Sequence, residues 1–168
     1  MKRLKLTLFF CLLIHADLSF PQGCNPNMIA DAPDSRYTLN ANGTAVDKKT
    51  GLTWMRCMLG QTWNHSTCEG HAQGYSWQDA LQAAKSTVFA GLNDWRLPNI
   101  KELQSLIENR CSDPKINITA FPSTNGFLWS SSFNVSIGQY AWFMSFSEEI
   151  SGTFAKENRL AVQLVRGG

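Results

Sequence analysis

The chain has 168 residues, of which 43% are hydrophobic and 17% are charged, and its formal net charge is +2. This length suits one domain, or two at most. The near-balance of charge excludes the basic stripe expected of a nucleic-acid-binding protein, so we expect no nucleic-acid partner.

The first twenty residues are predicted to be a secretory signal peptide. A basic start precedes an apolar run at positions 6–14, which is too short to cross a bilayer. We predict cleavage between residues 16 and 23, and the alternative is a lipoprotein signal that ends at Cys24. No later stretch is long and apolar enough to span a membrane. We therefore expect an exported protein that is periplasmic, secreted or on the cell surface.

Loss of the signal peptide leaves four cysteines: Cys24, Cys57, Cys68 and Cys111. Four cysteines in an exported chain indicate two disulfides and allow three pairings. Cys57 and Cys68 flank a polar loop and form the natural local pair, so Cys24 would pair with Cys111. The alternative is a zinc site with His65 and His71, but no Cys-x-x-Cys or His-x-x-x-His spacing supports it.

The first part of the mature chain reads as an arm, a hairpin and a loop. Residues 21–35 are rich in Pro, Asn and Asp and are predicted to form an arm, and residues 36–168 are predicted to form the domain. In the domain, Gly51 is placed for the positive φ of a hairpin turn. A loop as long as 57–75 needs a staple or a function. Strand patterns occupy residues 36–39, 44–47 and 52–56.

Two helices and a strand-rich region follow. Ser76 begins a capping box with Asp79, and apolar residues recur at helical spacing up to Val88, before Gly91. A second helix is predicted over 100–109. Beyond it the apolar period changes to two, which predicts strands at 127–131, 140–146, 153–155 and 160–166 with a turn at 147–152.

The run from Asn93 to Leu103 is interpreted as a framework rather than an active site. Arg96 lies between two predicted core residues, so we expect its guanidinium to be mostly buried and to need a carboxylate, with Glu102 as first candidate. Asn99 can cap a helix whose third residue is Glu102. The framework residues are Trp95, Arg96, Pro98 and Glu102.

Several motifs occur in the order seen in one bacterial family. They are Thr50-Gly51-Leu52-Thr53-Trp54, Tyr75-Ser76-Trp77-Gln78-Asp79-Ala80, Asp94-Trp95-Arg96-Leu97-Pro98-Asn99-Ile100-Lys101-Glu102-Leu103, Phe121-Pro122, Trp129-Ser130-Ser131 and Leu164-Val165-Arg166. Over about residues 36–168 the chain resembles the domain-of-unknown-function family 1566, also called the C-terminal domain of the Legionella collagen-like protein.

The Arg-Leu-Pro-x-x-x-Glu core at 96–102 is similar to that of the C-type-lectin-like superfamily. This resemblance implies an α+β fold in which two helices pack on a twisted antiparallel sheet with long loops. The collagen-like family member is an adhesin whose domain binds sulfated glycosaminoglycans and trimerises. No collagen-type tract precedes the domain here, so neither its ligand nor a homo-oligomer carries over directly.

Candidate ligand-binding residues lie in two places. Trp63 lies in the 57–75 loop beside Gln61, Asn64 and His65, a composition that can stack on a sugar or contact a partner protein. The alternative is that Trp63 anchors the loop to the domain. If the ligand is a sulfated polysaccharide, the nearest basic residues in sequence are Lys101, Arg110 and Lys115.

The residues that could carry catalysis lack their usual partners. Three serines at 130–132 follow Trp129, but no glycine elbow and no His–carboxylate pair is placed to activate them. Formylglycine-generating relatives need a late cysteine pair, and no cysteine follows Cys111. We predict no cofactor, and calcium remains an alternative because Asn and Asp oxygens are plentiful.

The leading hypothesis is an exported, non-enzymatic binding module, adhesin-like, that recognises a glycan or a protein. It depends on the export signal and on a fold class whose loops commonly carry recognition. The alternatives are a hydrolase of envelope polymers and a structural subunit of an envelope assembly.

Overall fold

A computed structural model describes residues 22–148 and 150–167. The predicted signal peptide, residues 1–20, lies outside these ranges, so the structure does not bear on it. Within the described residues, no helix has the length and apolar character that crossing a membrane requires.

The described residues form eleven strands and two helices. The helices are α1 (Trp77–Ser86) and α2 (Ile100–Gln104), and a short 3-10 helix covers Asp34–Arg36. In chain order the strands are β1 (Gly23–Cys24), β2 (Tyr37–Leu39), β3 (Thr44–Asp47), β4 (Thr53–Met55), β5 (Thr62–Trp63), β6 (Cys68–Glu69), β7 (Cys111–Ser112), β8 (Phe127–Phe133), β9 (Tyr140–Ser145), β10 (Ile150–Ala155) and β11 (Val165–Arg166).

The strands form two main antiparallel sheets and two small ribbons. One sheet has the order β11-β4-β3-β2 and the other has the order β10-β9-β8. The ribbons are β1–β7, which ties the N-terminal arm to the domain, and β5–β6, which lies inside the predicted 57–75 loop. The predicted α+β class is confirmed, while the C-type-lectin-like assignment stays a prediction.

Both predicted disulfides are confirmed. Cys24 bonds to Cys111 directly across the β1–β7 ribbon, and Cys57 bonds to Cys68 in the loop. The predicted hairpin turn is confirmed as well, since Gly51 has a φ of 74° and donates its backbone N–H to the Asp47 carbonyl at 2.8 Å. Each of these features was predictable because its residues lie close in sequence or were the only partners left.

Helix α1 starts as predicted but ends sooner. The Ser76 hydroxyl accepts the Asp79 backbone N–H at 3.2 Å, which caps the first turn. The helix stops at Ser86 because Thr87 has extended backbone geometry and its hydroxyl bonds back to the Ala83 carbonyl at 2.7 Å. Val88, the last apolar residue of the predicted helical pattern, therefore lies beyond the helix and is 72% exposed. The prediction that the helical pattern extends to Val88 was wrong.

Helix α2 is half as long as predicted, and the assignment of residues 105–109 to it was wrong. Its capping box is present, but the Ser105 hydroxyl bonds to the Glu102 carbonyl at 2.7 Å and the helix ends at Gln104. The chain then turns so that the buried Glu108 carboxylate can accept the backbone N–H groups of Asp31, Ala32 and Arg110. The N-terminal arm therefore closes over a carboxylate that a longer helix would misplace.

The segment 160–166 is not the uninterrupted strand that was predicted. Only Val165–Arg166 pairs as a strand, with β4. The earlier residues of the segment make backbone hydrogen bonds to several different parts of the chain. In chain order along the segment, their partners are Tyr75, then Phe127 and Trp129, then Leu59, and finally Met55. The segment therefore joins the two sheets. The predicted turn at 147–152 is also shorter, because β10 begins at Ile150.

Two apolar clusters fill the interior. Trp54, Phe121 and Phe146 are the largest members of one, and Trp95 and Trp129 are the largest members of the other. The sequence predicts that the tryptophans at element positions are mostly core residues, and these are Trp54, Trp77, Trp95, Trp129 and Trp142. Trp54, Trp95 and Trp129 are buried as predicted, while Trp77 and Trp142 are half-buried.

A buried ion pair that the sequence analysis missed joins Arg36, just before β2, to Asp47 at the end of β3. The Arg36 guanidinium bonds both carboxylate oxygens of Asp47, and the two side chains are only 5% and 0% exposed. Arg36 also donates to the Ser105 carbonyl at 2.8 Å. Asp47 accepts the Thr50 hydroxyl and the Lys49 backbone N–H. Every charged atom of the pair is therefore hydrogen-bonded, as a buried pair requires.

Candidate binding surface

The Arg96–Glu102 pair forms as predicted, but Arg96 is not buried. Two parallel bonds of 2.8 and 2.7 Å join the guanidinium to the carboxylate, and a third reaches the Gly167 carbonyl. The Arg96 side chain is 40% exposed. Residues 95–97 are extended against Val165, so Trp95 and Leu97 point inward while Arg96 between them points to the other side. The prediction of a mostly buried Arg96 was wrong for that reason.

The partial exposure reduces the stability that Arg96 can contribute. We expect Arg96→Ala to lower the free energy of unfolding by about 1–2 kcal/mol, because water screens part of the pair. Arg96→Lys should recover less than half of this, since an ammonium cannot make two parallel bonds and reach Gly167 as well. Chemical denaturation of both variants provides the test. A loss above about 3 kcal/mol for Arg96→Ala would show that the pair behaves as a buried one.

The predicted 57–75 loop contains a small stapled ribbon. Strands β5 and β6 pair at Thr62–Glu69 and Trp63–Cys68, and the Cys57–Cys68 disulfide closes the base. At the tip, the Asn64 carboxamide oxygen accepts the backbone N–H groups of Ser66 and Thr67. The loop therefore has the staple that its length predicts, and the disulfide and an asparagine-centred turn together order its chain.

Trp63 anchors this ribbon to the domain. Its indole N–H donates to the Ala41 carbonyl at 3.0 Å, and the Arg56 guanidinium lies 3.9 Å from the ring centroid. The ring also lies against Gly43, where an added Cβ would come within 2.7 Å of the indole. Arg56 is itself buried and bonds the Thr119 and Ala120 carbonyls, and burial lowers its pKa. One face of Trp63 is thus occupied by a cation of the protein itself.

The other candidates in the loop divide into inward and outward groups. Gln61 accepts the Met58 backbone N–H and the Ser123 hydroxyl, and Asn64 holds the turn and donates to Glu69. The polar groups of these two residues are therefore bonded within the protein. His65 is exposed at the turn with a φ of 78°. Its imidazole is the loop candidate that the structure leaves facing solvent.

The zinc alternative is contradicted by the structure. Cys57 and Cys68 are joined in a disulfide, so their sulfurs cannot act as thiolate ligands beside His65 and His71. Among residues 22–148 and 150–167, no group of three His, Cys, Asp or Glu side chains is arranged to hold a metal ion. The calcium alternative stays untested, since backbone and amide oxygens also bind this ion.

The basic candidates do not share one cavity. Lys101 lies on α2 and lines a shallow cavity of about 290 Å³ with Thr50, Leu52 and Glu102. Arg110 lines a separate cavity of about 520 Å³ beneath the N-terminal arm, next to Asp34 and the Cys24–Cys111 disulfide. Lys115 follows the β7 strand, and its backbone N–H donates to the Phe146 carbonyl. Lys101 and Arg110 are close in sequence, but they line two separate cavities.

The three serines after Trp129 have structural roles. The Ser130 hydroxyl donates to the Trp142 carbonyl at 2.8 Å, and the Ser132 hydroxyl accepts the Ile100 backbone N–H at 3.1 Å. The Ser131 backbone N–H bonds the Pro98 carbonyl. These bonds fix α2 and the framework run against the edge of β8, which agrees with the interpretation of the serines as polar strand residues.

A surface that the sequence analysis missed lies where β8 turns into β9. Phe133, Val135 and Ile137 are 54%, 85% and 50% exposed at this turn. Lys156 reaches the same end of the molecule, 4.3 Å above the ring of Trp77. The sequence signal was the alternation of apolar and polar residues from 133 to 137, which continues past the strand into the turn.

The comparisons with known proteins identify one family. The family model described as the Lcl C-terminal domain matches residues 43–166, which is most of the chain and nearly all of the described domain. A search of the curated proteins finds no match.

Proposed function

Because this chain belongs to the Lcl C-terminal domain family, we propose that it is an exported, non-enzymatic binding module that recognises a glycan or a protein. The observation that carries this proposal is the β5–β6 ribbon together with the rest of the 57–75 loop, here called the 57–75 ribbon. It is stapled by the Cys57–Cys68 disulfide, anchored by Trp63 and turned by Asn64, and it presents His65 to solvent. The two disulfides and the family support export to an oxidising compartment.

The order of the ribbon is what makes it suitable for recognition. A loop that must become ordered when it binds loses part of its interaction free energy to that ordering. Here the disulfide, the Trp63 anchor and the Asn64 turn hold the backbone before any ligand arrives. The exposed tip residues His65, Ser66 and Thr67 can then form hydrogen bonds at a small entropic cost.

Two ion-paired carboxyl groups, those of Asp47 and Glu102, are unsuited to act as general acids. Burial opposes ionisation of Asp47 and Glu102, but bonds from Arg36 and Arg96 respectively outweigh it and lower the pKa of each carboxyl. A general acid needs the opposite, a carboxyl that keeps its proton near neutral pH. These two groups therefore serve as fixed ion-pair partners, and not as proton donors.

The proposal predicts that binding depends on the exposed tip rather than on the Trp63 ring face. His65→Gly removes the imidazole and suits the positive φ of this position, so the fold should remain intact. Combined with Thr67→Ala, it should weaken ligand binding about tenfold, as the loss of one or two hydrogen bonds implies. A glycan array and a partner pulldown with the oxidised protein identify the ligand, and titration measures the loss.

The matched control is His71→Ala, which removes an exposed histidine from the base of the same loop. It should leave affinity unchanged. Trp63→Ala should lower both affinity and thermal stability, because it removes the anchor. Full affinity in the His65→Gly/Thr67→Ala variant would contradict the proposal. If Lys101→Ala or Arg110→Ala then abolished binding in a salt-dependent manner, the ligand would be assigned to the basic residues.

A further inference from the structure

Strand β10 is an open edge of the three-stranded sheet. It pairs with β9 along its whole length without a bulge, and among residues 22–148 and 150–167 no strand lies beyond it. The opposite edge of the sheet is closed, because the Trp129 N–H donates to the Ala161 carbonyl and the Phe127 carbonyl accepts the Ala161 N–H. The two edges of this sheet are therefore not equivalent, and only the β10 edge is available to a partner.

The register of the ladder shows which backbone groups of β10 face outward. The Lys156 N–H donates to the Gln139 carbonyl, so these residues face each other as a hydrogen-bonded pair next to the last register pair of β9 and β10. Such pairs alternate along an antiparallel ladder, so Gly152 bonds to β9, whereas Ser151 and Thr153 direct their N–H and C=O groups away from it. In the part of the chain that the structure describes, these outward groups have no hydrogen-bond partner.

Strand β10 lacks the features that normally protect a strand edge. Natural edges carry lysine or proline, contain a bulge, or are very short. The strand reads Ile-Ser-Gly-Thr-Phe-Ala, so it contains neither a charged residue nor a proline, and its pairing with β9 is regular over six residues. The edge is therefore able to accept a further strand.

The two faces of β10 differ in polarity. Ile150 and Phe154 lie on one face, where the Phe154 ring stacks on that of Phe143 at a centroid distance of 4.3 Å. Ser151 and Thr153 lie on the other face, because side chains alternate along a strand. A strand added at this edge places its own side chains beside the two sets in turn. It matches β10 best when its apolar and polar residues alternate.

Acidic side chains stand at both ends of the edge. Glu148 precedes β10 and Glu157 follows it, and both are exposed without an ion pair among the described residues. Lys156 is already bonded to the Gly138 carbonyl through its ammonium. A second copy of the chain in full antiparallel overlap would place its Glu157 near Glu148, and these like charges repel. The edge therefore suits a strand with basic ends better than it suits a second copy.

We propose that β10 binds an extended segment of a partner protein by strand addition, and that the segment alternates apolar and polar residues between basic ends. One edge of an extended peptide repeats its N–H and C=O groups about every 6.8 Å, which is also the interval between Ser151 and Thr153. The main-chain bonds supply affinity, while the alternation and the terminal charges select the segment. This surface does not include the 57–75 ribbon, so the inference goes beyond the proposed function.

Amide hydrogen exchange measured by NMR tests the proposal with a defined probe. The probe is a synthetic peptide of alternating threonine and valine with two lysines at each end. In the free, oxidised protein the amides of Ser151 and Thr153 should exchange fast, while that of Gly152 should exchange slowly. Saturating peptide should slow exchange at Ser151 and Thr153 at least about tenfold. The same peptide with every backbone nitrogen methylated is the matched control and should protect neither amide.

Three variants separate the contributions of the backbone, the charges and the ribbon. Ser151→Pro removes an outward N–H that the fold does not use, so it should weaken peptide binding about tenfold with little change in thermal stability. Glu148→Gln/Glu157→Gln should weaken binding about threefold and reduce its dependence on salt. His65→Gly/Thr67→Ala should bind the peptide like the unaltered protein, so failure at the ribbon and failure at the edge are distinguishable.

Three outcomes would overturn the proposal. Slow exchange at Ser151 and Thr153 in the dilute free protein would mean that the edge is already covered. Exchange that stays fast at saturating peptide, or equal protection by the methylated peptide, would mean that no strand is added. Protection that grows with protein concentration in the absence of peptide would assign the edge to a second copy of the chain.

Discussion

Asp47→Ala is expected to lower the free energy of unfolding by about 3–5 kcal/mol, the largest loss predicted here for one ionic side chain. The substitution leaves the Arg36 guanidinium buried without its carboxylate, and side-chain exposure at this position is only 5%. It also removes the acceptor of the Thr50 hydroxyl and the Lys49 backbone N–H, two bonds that shape the turn between β3 and β4. Chemical denaturation measures the loss.

Glu102→Ala is the matched control for this prediction. It also removes the carboxylate of a bidentate arginine pair, but its partner Arg96 is 40% exposed and can be hydrated after the change. We expect a loss well below that of Asp47→Ala. Equal losses in the two variants would show that burial does not govern the strength of these pairs.

The Asp47 pair should also make stability depend on pH in acid. The folded pKa of Asp47 lies below its unfolded value, because the bonds from Arg36 and Thr50 outweigh the effect of burial. Its contribution is therefore complete above the unfolded pKa and is lost as pH falls through the folded pKa. The stability difference between the unaltered protein and Asp47→Ala should shrink in that acidic range, and denaturation curves at successive pH values test this.

Removal of the Cys24–Cys111 disulfide is expected to cost more than removal of the Cys57–Cys68 disulfide. The first joins residues separated by 87 positions and the second by 11. Unfolded-chain entropy then gives losses of about 4.5 and about 3 kcal/mol for the paired serine variants. The larger loss has a further cause in the structure. Without its staple, the arm can leave the Glu108 carboxylate that its backbone N–H groups satisfy.

Guanidinium denaturation of Cys24→Ser/Cys111→Ser and Cys57→Ser/Cys68→Ser tests this order. Limited proteolysis provides a second measurement, and it should cut the arm first in the former variant and the 57–75 ribbon first in the latter. A larger loss from the Cys57–Cys68 pair would mean that the ribbon, rather than the arm, holds the domain together.

Local rules accounted for the features that neighbouring residues determine. The Ser76 and Asn99 caps, the Gly51 turn and the Cys57–Cys68 staple each depend on residues a few positions apart, and all of them are present. The ends of the helices were less predictable. The hydroxyls of Ser105 and Thr87 bond back to helix carbonyls, and each helix ends early at these residues. Such side-chain bonds compete with another turn of backbone helix bonds, so the sequence alone does not decide between them.

Contacts between distant segments could not be derived from the sequence. Nothing in the spacing of Arg36 and Asp47 distinguishes a buried pair from two solvated residues, since the pair forms only when β2 pairs with β3 and the backbone at Ser105 lies against Arg36. The partners of Trp63 show the same limit. Arg56 and Gly43 come from separate segments, so the sequence left open whether the indole meets a ligand or the domain, and the structure shows the domain on one face.

The segment 160–166 gives the fold an order of assembly. Its backbone bonds reach Tyr75, Trp129, Leu59 and Met55, so these late residues supply partners to exposed edges of both sheets. The contacts span most of the domain in sequence, and such long-range contacts form slowly. Closure of the core between the two sheets should therefore be a late step of folding, which begins only when the end of the chain is present.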